Sequence, residues 1–291
     1  MVYTAVVVGN FDGVHLGHIH LIQNLKAFAL KKGLKPLVIT FNPHPIEVLS
    51  PLNRYFCKLS TAFEKKELIE KQLGVEVKTI SFTKDFSKIS PEEFLEKYLV
   101  REFKAKAIIV GYDWRFGKGA AGTFLTVAKF CSQRGCIVKK VEPYKVAGQI
   151  ISSSLIREEL KKAKLKEVSK YLGRLYWISR KITKGKGLGR KIGFPTLNFK
   201  NVEKLCLPNG VYAVYCNGYP AIANLGYAPT LKGYERTLEV HILEENFIIC
   251  NEPKIVFLEY IRPERAFRTV KELIEQIEMD IKVAKDILIS T

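Results

Sequence analysis

Two histidines and three glycines directly follow the first apolar run of the chain, residues 5–8. They are Gly9, Gly13, Gly17, His15 and His18. The apolar run predicts a buried strand, and a helical pattern begins at about residue 18. A strand, a turn and a helix start form an anion site, because the first helical turn presents unpaired N–H groups and a partial positive charge. Imidazoles three residues apart can face one ligand there, which suits a nucleotide phosphate whose charge is redistributed during a reaction.

The same stretch is neither a dinucleotide-binding G-x-G-x-x-G nor a phosphate loop with its lysine. His15, His18 and His20 are alternatively zinc ligands, although no cysteine or carboxylate cluster accompanies them, and His20 is expected on the helix surface. The string H-x-G-H, preceded by Phe11 and Asp12, resembles the signature of the nucleotidyltransferases related to class I aminoacyl-tRNA synthetases. That resemblance implies that both histidines contact ATP phosphates and that the reaction is adenylyl transfer.

Three further segments of the N-terminal half carry residues suited to nucleotides or flat ligands. Serines 152–154 open a predicted helix that contains Arg157, so they either cap the helix or hold phosphates together with the guanidinium. Aromatic, proline and histidine side chains follow two other strands and either stiffen turns or wall a flat aromatic ligand. These are Phe41, Pro43, His44, Trp114 and Phe116.

The C-terminal half contains nine basic and no acidic residues over positions 168–202. Its glycine-rich part predicts a flexible basic loop for a polyphosphate. The loop residues are Gly185, Lys186, Gly187, Gly189, Arg190 and Gly193. Thr196 and Asn198 would share one face of a strand, where a hydroxyl and an amide oxygen suit Mg²⁺ bound together with ATP. An ordinary turn and strand with a solvated basic rim is the alternative.

Glu239 and His241 share the polar face of another predicted strand in this half. A carboxylate beside a Mg·ATP site is a candidate general base for a hydroxyl group. Alternatively, Glu239 is a surface residue paired with Arg236 or Lys232.

Short apolar runs alternate with amphipathic helical patterns over the first 151 residues, which predicts a parallel sheet with helices on both faces. The predicted strands cover 6–8, 36–41, 79–82, 107–110 and 137–141, and the predicted helices cover 18–32, 61–73, 91–103 and 122–134. Ligands of such sheets bind outside the carboxyl ends of the strands. The three nucleotide-like segments that follow strands are therefore expected at one edge.

A charged helix is predicted over 155–172, ending at Gly173 and bridging two domains. Beyond it, short β-rich segments with hairpin signals at Asn209-Gly210 and Asn217-Gly218 predict a small antiparallel barrel or sandwich. A helix over 269–288 has the apolar spacing to pack on it. We therefore predict an α/β Rossmann-like nucleotidyltransferase domain over 1–168 and a β-barrel domain with a C-terminal helix over 169–291.

Composition sets the broad class of the protein. The 291 residues, 47% hydrophobic and 26% charged, are ordinary for a soluble protein with two domains. No apolar run spans a bilayer and no signal peptide is visible, so a cytoplasmic protein is expected. The six cysteines are scattered without a C-x-x-C pair, which predicts reduced thiols. The net charge of +18 calls for an anionic partner, either a nucleotide or nucleic acid.

The motifs occur in the order found in the prokaryotic bifunctional riboflavin kinase/FMN adenylyltransferases, and the resemblance covers essentially the whole chain. They are GNFDGVHLGH, TFNPHP, VGYDWRFGKG, ISSSLIR, GKGLGRKIGFPTLNF, LPNGVYA, NLGYAPT and RTLEVHIL. The resemblance implies Mg²⁺ as cofactor, ATP as co-substrate, riboflavin as substrate, and FMN and FAD as products. No nucleic acid or membrane partner is expected, and the sequence leaves the oligomeric state open, with a monomer as the expectation.

The resemblance also implies roles for individual residues. His15 and His18 would stabilise ATP phosphates, with Ser152, Ser153, Ser154 and Arg157 on the departing pyrophosphate, Thr196 and Asn198 at the kinase Mg·ATP, and Glu239 as base. The predicted ATP-binding residues of the adenylyltransferase further include Gly9, Asn10, Phe11, Asp12, Gly17 and Asp113. Two residues depart from the family pattern: Ser154 stands where the family often has Thr, and Asp113 stands where some members have Asn.

Two other functions compete with this interpretation. A single-activity adenylyltransferase of another phosphorylated cofactor precursor would have no use for the barrel half. A basic nucleic-acid-binding protein would show affinity that falls steeply with salt and would need no flavin.

Overall fold

The computed structural model describes residues 2–50, 52, 56–185, 187–230 and 233–289. The chain forms two compact units: one contains 1–56 and 60–153, and the other contains 57–59 and 154–291. The segment predicted as a bridging helix, 155–172, therefore belongs to the second unit. The assignment of one activity to 1–168 and the other to 169–291 stays a proposal about where the functions divide.

Five parallel strands form the sheet of the first unit within the described residues. They are β1 (Thr4–Val8), β2 (Lys35–Asn42), β3 (Glu76–Ser81), β4 (Ala105–Gly111) and β5 (Ile137–Val141), in the order β3-β2-β1-β4-β5. The order reverses between β1 and β4, so the loops that leave these two neighbours diverge there. In a parallel sheet this reversal opens a crevice at the carboxyl ends of the strands.

Helices connect these strands. They are α1 (Leu16–Lys31), α2 (Pro45–Leu49), α3 (Ala62–Glu67) continued by a π-helix over Leu68–Gln72, α4 (Pro91–Glu93) continued by a π-helix over Phe94–Glu102, and α5 (Phe124–Arg134). Val6 and Val8 pack in a cluster with Leu95 and Phe130, and the alternate residue Val7 is equally buried on the opposite face. Since strand side chains alternate between faces, both faces are covered, and the predicted α/β class is confirmed.

The predicted helix over 155–172 is wrong as a single element. The structure has α6 (Ser153–Lys161) and α7 (Leu165–Leu172), separated by Ala163 with a left-handed φ of 55°. The predicted end at Gly173 is correct, because this residue adopts the left-handed cap conformation with φ 69°. A short hairpin of β6 (Lys145–Val146) and β7 (Gln149–Ile150) precedes α6.

The second unit contains a curled antiparallel sheet of seven strands among the described residues. Its order is β8-β14-β11-β12-β13-β10-β9, from β8 (Tyr176–Ser179), β14 (Lys254–Arg262), β11 (Gly210–Cys216), β12 (Tyr219–Thr230), β13 (Gly233–Ile242), β10 (Leu197–Phe199) and β9 (Ile182–Thr183). A short helix α8 (Leu188–Lys191) precedes β10, and α9 (Val270–Ile289) follows the sheet. Ala284 and Leu288 of α9 pack on Ala213, Ile222 and Leu258. This confirms the predicted antiparallel half with its C-terminal helix.

Only one of the two hairpin signals marks a hairpin. Asn217-Gly218 joins β11 to β12, where Cys216 pairs with Tyr219. Asn209 and Gly210 instead stand at the start of β11, whose sheet neighbours are β12 and β14. The side chain of Asn209 accepts a hydrogen bond from Arg236 and donates one to Glu264, and these long-range bonds outweigh its local turn preference.

The prediction of reduced cysteines is wrong for four of the six. Cys57 is bonded to Cys206 across a sequence separation of 149 residues, and Cys131 to Cys136 across five. Cys216 and Cys250 are free thiols. Sequence spacing gave no sign of the long-range pair because the fold alone brings its two segments together. Among the described residues, no helix is long and apolar enough to cross a membrane.

Candidate active sites

The loop after β1 is fixed by a buried carboxylate and a serine. Asp12, only 2% exposed, accepts hydrogen bonds from the Ser60 amide at 3.0 Å and the Ser60 hydroxyl at 3.2 Å. The Ser60 hydroxyl in turn accepts from the amide of Gly13 at 2.8 Å. Phe11 and Val14 adopt left-handed φ angles of 47° and 41°, a conformation that non-glycine residues hold only where surrounding contacts enforce it. The loop geometry is therefore built in advance of any ligand.

The two histidines stack on each other at the start of α1. Their ring centroids are 3.6 Å apart with an interplanar angle of 17°. His15 is the N-cap residue, and its Nδ1 accepts from the His18 amide at 3.3 Å. His15 is 4% exposed, whereas His18 is only partly buried and contacts the Phe11 ring edge-on. His18 is thus the more accessible imidazole, and His15 lies behind it.

A buried lysine that the sequence analysis did not single out supports this loop. Lys65 is 5% exposed, and its ammonium donates to the Asn10 carbonyl at 3.0 Å, to the Thr40 hydroxyl at 3.2 Å and to the Phe41 carbonyl at 3.4 Å. It thereby joins the ends of β1 and β2. A lysine in a run of charged helical residues looks like a surface residue, so no sequence signal identified it.

An aromatic cavity of 380 Å³ lies beside the same loop. Gly9 and Asn10 line it together with the predicted flavin-wall residues Phe41, Trp114 and Phe116. The Trp114 and Phe116 rings stack 4.2 Å apart, and further rings come from Phe82, Phe86 and Phe94. Such a wall matches a flat, largely apolar ligand.

Of the predicted flavin-wall residues, Pro43 and His44 lie outside the lining of the cavity, and so does Asp113. His44 caps α2, because its Nδ1 accepts a hydrogen bond from the Ile46 amide at 3.3 Å. Pro45, the next residue of the chain, lines the cavity instead. Asp113 is exposed and interacts with Tyr112, so that burial and this carboxylate together raise the pKa of the Tyr112 hydroxyl.

The predicted phosphate-holding serines and arginine divide between the two units. Ser152 and Ser153 belong to the first unit, where the Ser153 hydroxyl donates to the Asp12 carbonyl at 2.9 Å. Ser154 and Arg157 belong to the second unit, where the Arg157 Nε donates to the Cys57 carbonyl at 2.9 Å. Gly17 faces the His15 ring, which a Cβ at position 17 would approach to 3.2 Å.

The second unit contains a cavity of 320 Å³ whose lining combines polar, charged and apolar side chains. Thr196, Asn224, Glu239 and His241 form one polar cluster in it, and Arg262, Glu264, Arg265 and Asp280 add charged groups; Phe194, Ile222, Phe267 and Ile277 are among the apolar ones. Strand register produces the polar cluster: Glu239 of β13 lies opposite Asn198 of β10 on one side and Asn224 of β12 on the other. Asn224 was not predicted as a site residue, because the pairing partner of Glu239 is not visible in the sequence.

Thr196, Asn198 and Glu239 come together as predicted for a shared site. The Thr196 hydroxyl donates to the Glu239 carboxylate at 3.4 Å, and the Asn198 Nδ2 donates to the Thr196 carbonyl at 3.3 Å. Gly185 lies directly against this amide, since a Cβ there would be 2.3 Å from Asn198 Nδ2. Position 185 therefore accommodates glycine alone without rearrangement.

The rest of the predicted basic loop is only partly at the cavity. Gly189 lines it, Arg190 is exposed, and Gly187 and Gly193 adopt left-handed φ angles of 71° and 93° around α8. Lys186 lies outside the described residues. The proposed pairing of Glu239 with Arg236 is wrong because Arg236 bonds elsewhere, and Lys232 also lies outside the described residues.

Arg236 is a second buried cation that sequence reasoning missed. It is 8% exposed, and its guanidinium donates to the carbonyls of Leu205 at 2.9 Å and Leu207, and to Asn209 Oδ1 at 2.9 Å. Burial lowers the pKa of Arg236. Asn209 Nδ2 donates onward to Glu264, a residue of the cavity wall, at 3.0 Å. Arg236 thus holds the loop before β11 in place.

The oxygen groups of the second unit fit a magnesium ion that is shared with a nucleotide. A hydroxyl, an amide and a carboxylate are hard ligands, and Mg²⁺ usually takes one or two protein groups plus phosphates and water. Among the described residues, no three His, Cys, Asp or Glu side chains lie close enough to hold a metal ion without such help.

Family models match both halves of the chain. Residues 2–155 match the FAD synthetase family, and residues 172–288 match the riboflavin kinase family. The chain belongs to the family of bifunctional riboflavin kinase/FMN adenylyltransferases. A member of this family from Listeria monocytogenes is 36% identical over 94% of this chain and 89% of its own length. Another, from Escherichia coli K12, is 32% identical over 97% of this chain and 91% of its own length.

A solved structure resembles the fold of this family member over nearly its whole length. It is a crystal structure described as a macrolide-efflux protein from Streptococcus pneumoniae. The TM-score is 0.81 at 30% identity, covering 97% of this chain and 94% of the other.

Proposed function

We propose that this family member makes FMN from riboflavin at the cavity of the second unit and FAD from FMN at the first unit. The reactions are riboflavin plus ATP to FMN plus ADP, and FMN plus ATP to FAD plus pyrophosphate. The observation that carries the proposal is the Thr196 hydroxyl and Glu239 carboxylate, 3.4 Å apart, at one cavity of the unit that matches riboflavin kinases.

In the kinase step, Glu239 accepts the proton of the ribityl 5′-hydroxyl of riboflavin. The oxygen of this hydroxyl attacks the γ-phosphorus of ATP, and ADP leaves. Thr196 and Asn198 would hold the Mg²⁺ that accompanies ATP, and this ion would neutralise developing phosphate charge. The glycine-rich loop of Gly185, Lys186, Gly187, Gly189, Arg190 and Gly193 would cradle the phosphates. Direct transfer needs only positioning and charge stabilisation, so no covalent enzyme intermediate is required.

In the adenylylation step, a phosphate oxygen of FMN attacks the α-phosphorus of ATP and pyrophosphate leaves. His18, partly exposed at the start of α1, stabilises the phosphates, and His15, stacked behind it, holds its ring in place and adds a second imidazole. Gly9 and Asn10 approach ATP, while Phe41, Trp114 and Phe116 wall the flavin. The roles of ten further residues stay predictions from the sequence: Ser152, Ser153, Ser154, Arg157, Asp113, Pro43, His44, Phe11, Asp12 and Gly17.

The test is to incubate the purified protein with riboflavin, ATP and Mg²⁺ and to separate the flavins by chromatography. We expect FMN and then FAD from the wild type. Glu239→Gln removes the base and keeps the shape, so it abolishes FMN formation and leaves FMN-to-FAD conversion intact. His18→Ala has the reverse effect.

In each variant the activity that is retained serves as the folding control for the one that is lost, because both activities are in one polypeptide. Loss of both activities in either folded variant would overturn the assignment of the two sites. Omission of Mg²⁺ is expected to stop both steps. A nucleic-acid-binding protein would give no flavin product at all.

We propose a cytoplasmic monomer whose basic surface serves nucleotide substrates, without a nucleic-acid or membrane partner. Sedimentation at several protein concentrations tests the monomer, and a complex that persists on dilution would contradict it.

A further inference from the structure

His241 lies at the kinase cavity but has no part in the proposed transfer chemistry. It is two residues from Glu239 on β13, lines the same cavity and meets the Phe194 ring edge-on at 5.6 Å. Its Nδ1 lies 2.8 Å from the carbonyl oxygen of Pro195. A carbonyl only accepts hydrogen bonds, so Nδ1 carries the proton and donates.

This bond acts on the segment that bears Thr196. Leu197 pairs with Val240 in the antiparallel ladder, so that Thr196 and His241 are the next positions outward on their strands. The ladder ends at Leu197, and Thr196 is therefore not held by strand pairing. The His241 bond to Pro195 and the Thr196 contact with Glu239 are two links that join β13 to this segment.

We propose that His241 is a positioning residue of the kinase reaction: its Nδ1–H holds the Pro195 carbonyl and thereby places the Thr196 hydroxyl next to Glu239. The proposal rests on the kinase function proposed for this cavity. An error of 1 Å in the placement of a reacting or metal-binding group can cost about 100-fold in rate, so one hydrogen bond at this point affects catalysis.

Two substitutions distinguish the contribution of Nδ1 from that of Nε2 in the His241 ring. In His241→Asn the side-chain amide nitrogen can occupy the place of Nδ1 and still donate to Pro195. In His241→Gln the amide reaches the place of Nε2 instead, and the Pro195 bond is lost. His241→Phe keeps ring bulk against Phe194 and removes both nitrogens.

The experiment measures kcat and KM for MgATP and for riboflavin in the wild type and the three variants, with FMN adenylylation and thermal unfolding as folding controls. We expect the Asn variant within about threefold of the wild type in kinase kcat/KM, and the Gln and Phe variants about 10- to 100-fold lower. The loss should fall on kcat and the MgATP KM, and the riboflavin KM and adenylylation should change little. If the Phe variant does not fold, the Asn and Gln pair alone decides.

Equal loss in the Asn and Gln variants would overturn the proposal, because the Pro195 bond would then not be what matters. Normal kinase activity in all variants would overturn it as well. A wild type that forms no FMN would instead refute the kinase function, and the positioning role would fall with it. Independently of activity, the ¹⁵N signals of His241 in the wild type should show a protonated, hydrogen-bonded Nδ1, and a bare Nδ1 would contradict the inference.

Discussion

The two units build their sites from the sequence in different ways. In the first unit, the turn and the stacked histidines lie within ten consecutive residues, 9–18, at the end of a parallel strand. In the second, Thr196 and Asn198 meet Glu239 only because β10 and β13 pair in one register. A site in one turn is recognisable as a string of residues, whereas a site made by strand register becomes visible only when the pairing is known.

The units are alike in what supports the site. In each, a buried cation bonds to backbone carbonyls of a loop near the cavity: Lys65 in the first and Arg236 in the second. Arg236 donates to four acceptors, since its guanidinium also reaches the Val202 carbonyl at 3.4 Å, whereas Lys65 donates to three. The planar fork of Arg236 holds several carbonyls at once. The comparison predicts that the second unit depends more strongly on its buried cation than the first.

Arg236→Met gives the largest effect we expect. It leaves the Leu205 and Leu207 carbonyls and the Asn209 amide oxygen without their donor, and each buried unsatisfied group costs about 1–3 kcal/mol. The second unit should lose about 3 kcal/mol or more in urea unfolding, and kinase activity should fall with it. Adenylylation by the first unit should persist.

Arg236→Lys is the matched control, since it keeps the charge and loses the fork, and it should fall between the wild type and Arg236→Met. Unfolding curves of the Met variant that coincide with those of the wild type would contradict the anchoring role.

The two disulfides are expected to differ in how much each one stabilises the folded protein, and this is the next largest effect. Cys57–Cys206 closes 149 residues and Cys131–Cys136 closes five. A crosslink restricts the unfolded chain more when it closes a longer loop, and typical values are about 2–4 kcal/mol. Replacing Cys57 and Cys206 by Ser should therefore lower the free energy of unfolding more than replacing Cys131 and Cys136.

Urea unfolding with and without reductant measures the effect of both pairs, and peptide mapping without reductant verifies the pairing. An equal effect of the two replacements would show that loop length does not govern the difference.

The sequence predicted the parts of the fold that depend on local periodicity. The five parallel strands, the helices between them and α9 follow from the spacing of apolar residues, which burial on one or two faces imposes. The break at Ala163 was missed because an alanine does not signal a left-handed φ. The hairpin expected at Asn209-Gly210 was wrong because tertiary hydrogen bonds from Arg236 and to Glu264 use the Asn209 side chain instead.

The sequence predicted the site to a similar extent. Glu239, Thr196 and Asn198 were identified by type and spacing, and the structure brings them together. Lys65, Ser60 and Arg236 were missed because a buried polar residue that bonds backbone groups far along the chain has the same local pattern as a surface residue. Long-range hydrogen bonding is what the local pattern does not contain.

Lys65→Met tests the counterpart of Arg236 in the first unit and should have a smaller effect. It removes the donor to the Asn10 and Phe41 carbonyls, while the Thr40 hydroxyl can rotate toward another partner. We expect about 1–3 kcal/mol lower stability of the first unit and reduced adenylylation. Kinase activity, measured on the same sample, should remain at the wild-type level. A fall in kinase activity alone would contradict the comparison.

A surface ion-pair cluster in the first unit is expected to contribute less to stability than either buried cation or either disulfide. Glu76 lies 2.6 Å from the Lys35 ammonium and 2.9 Å from that of Lys78, and hydrogen bonds to the two lysines hold its pKa at about 2, below the usual 4.5. Because the folded pKa is the lower one, this stabilisation is complete above pH 4.5 and disappears as the pH falls through about 2. Exposed pairs contribute about 0.2–1 kcal/mol and weaken in salt. Glu76→Gln should thus lower stability at pH 7 by less than about 1 kcal/mol, and 1 M salt should shrink the difference. An effect as large as that of Lys65→Met would mean that surface charge, and not the buried cation, stabilises the parallel-sheet unit.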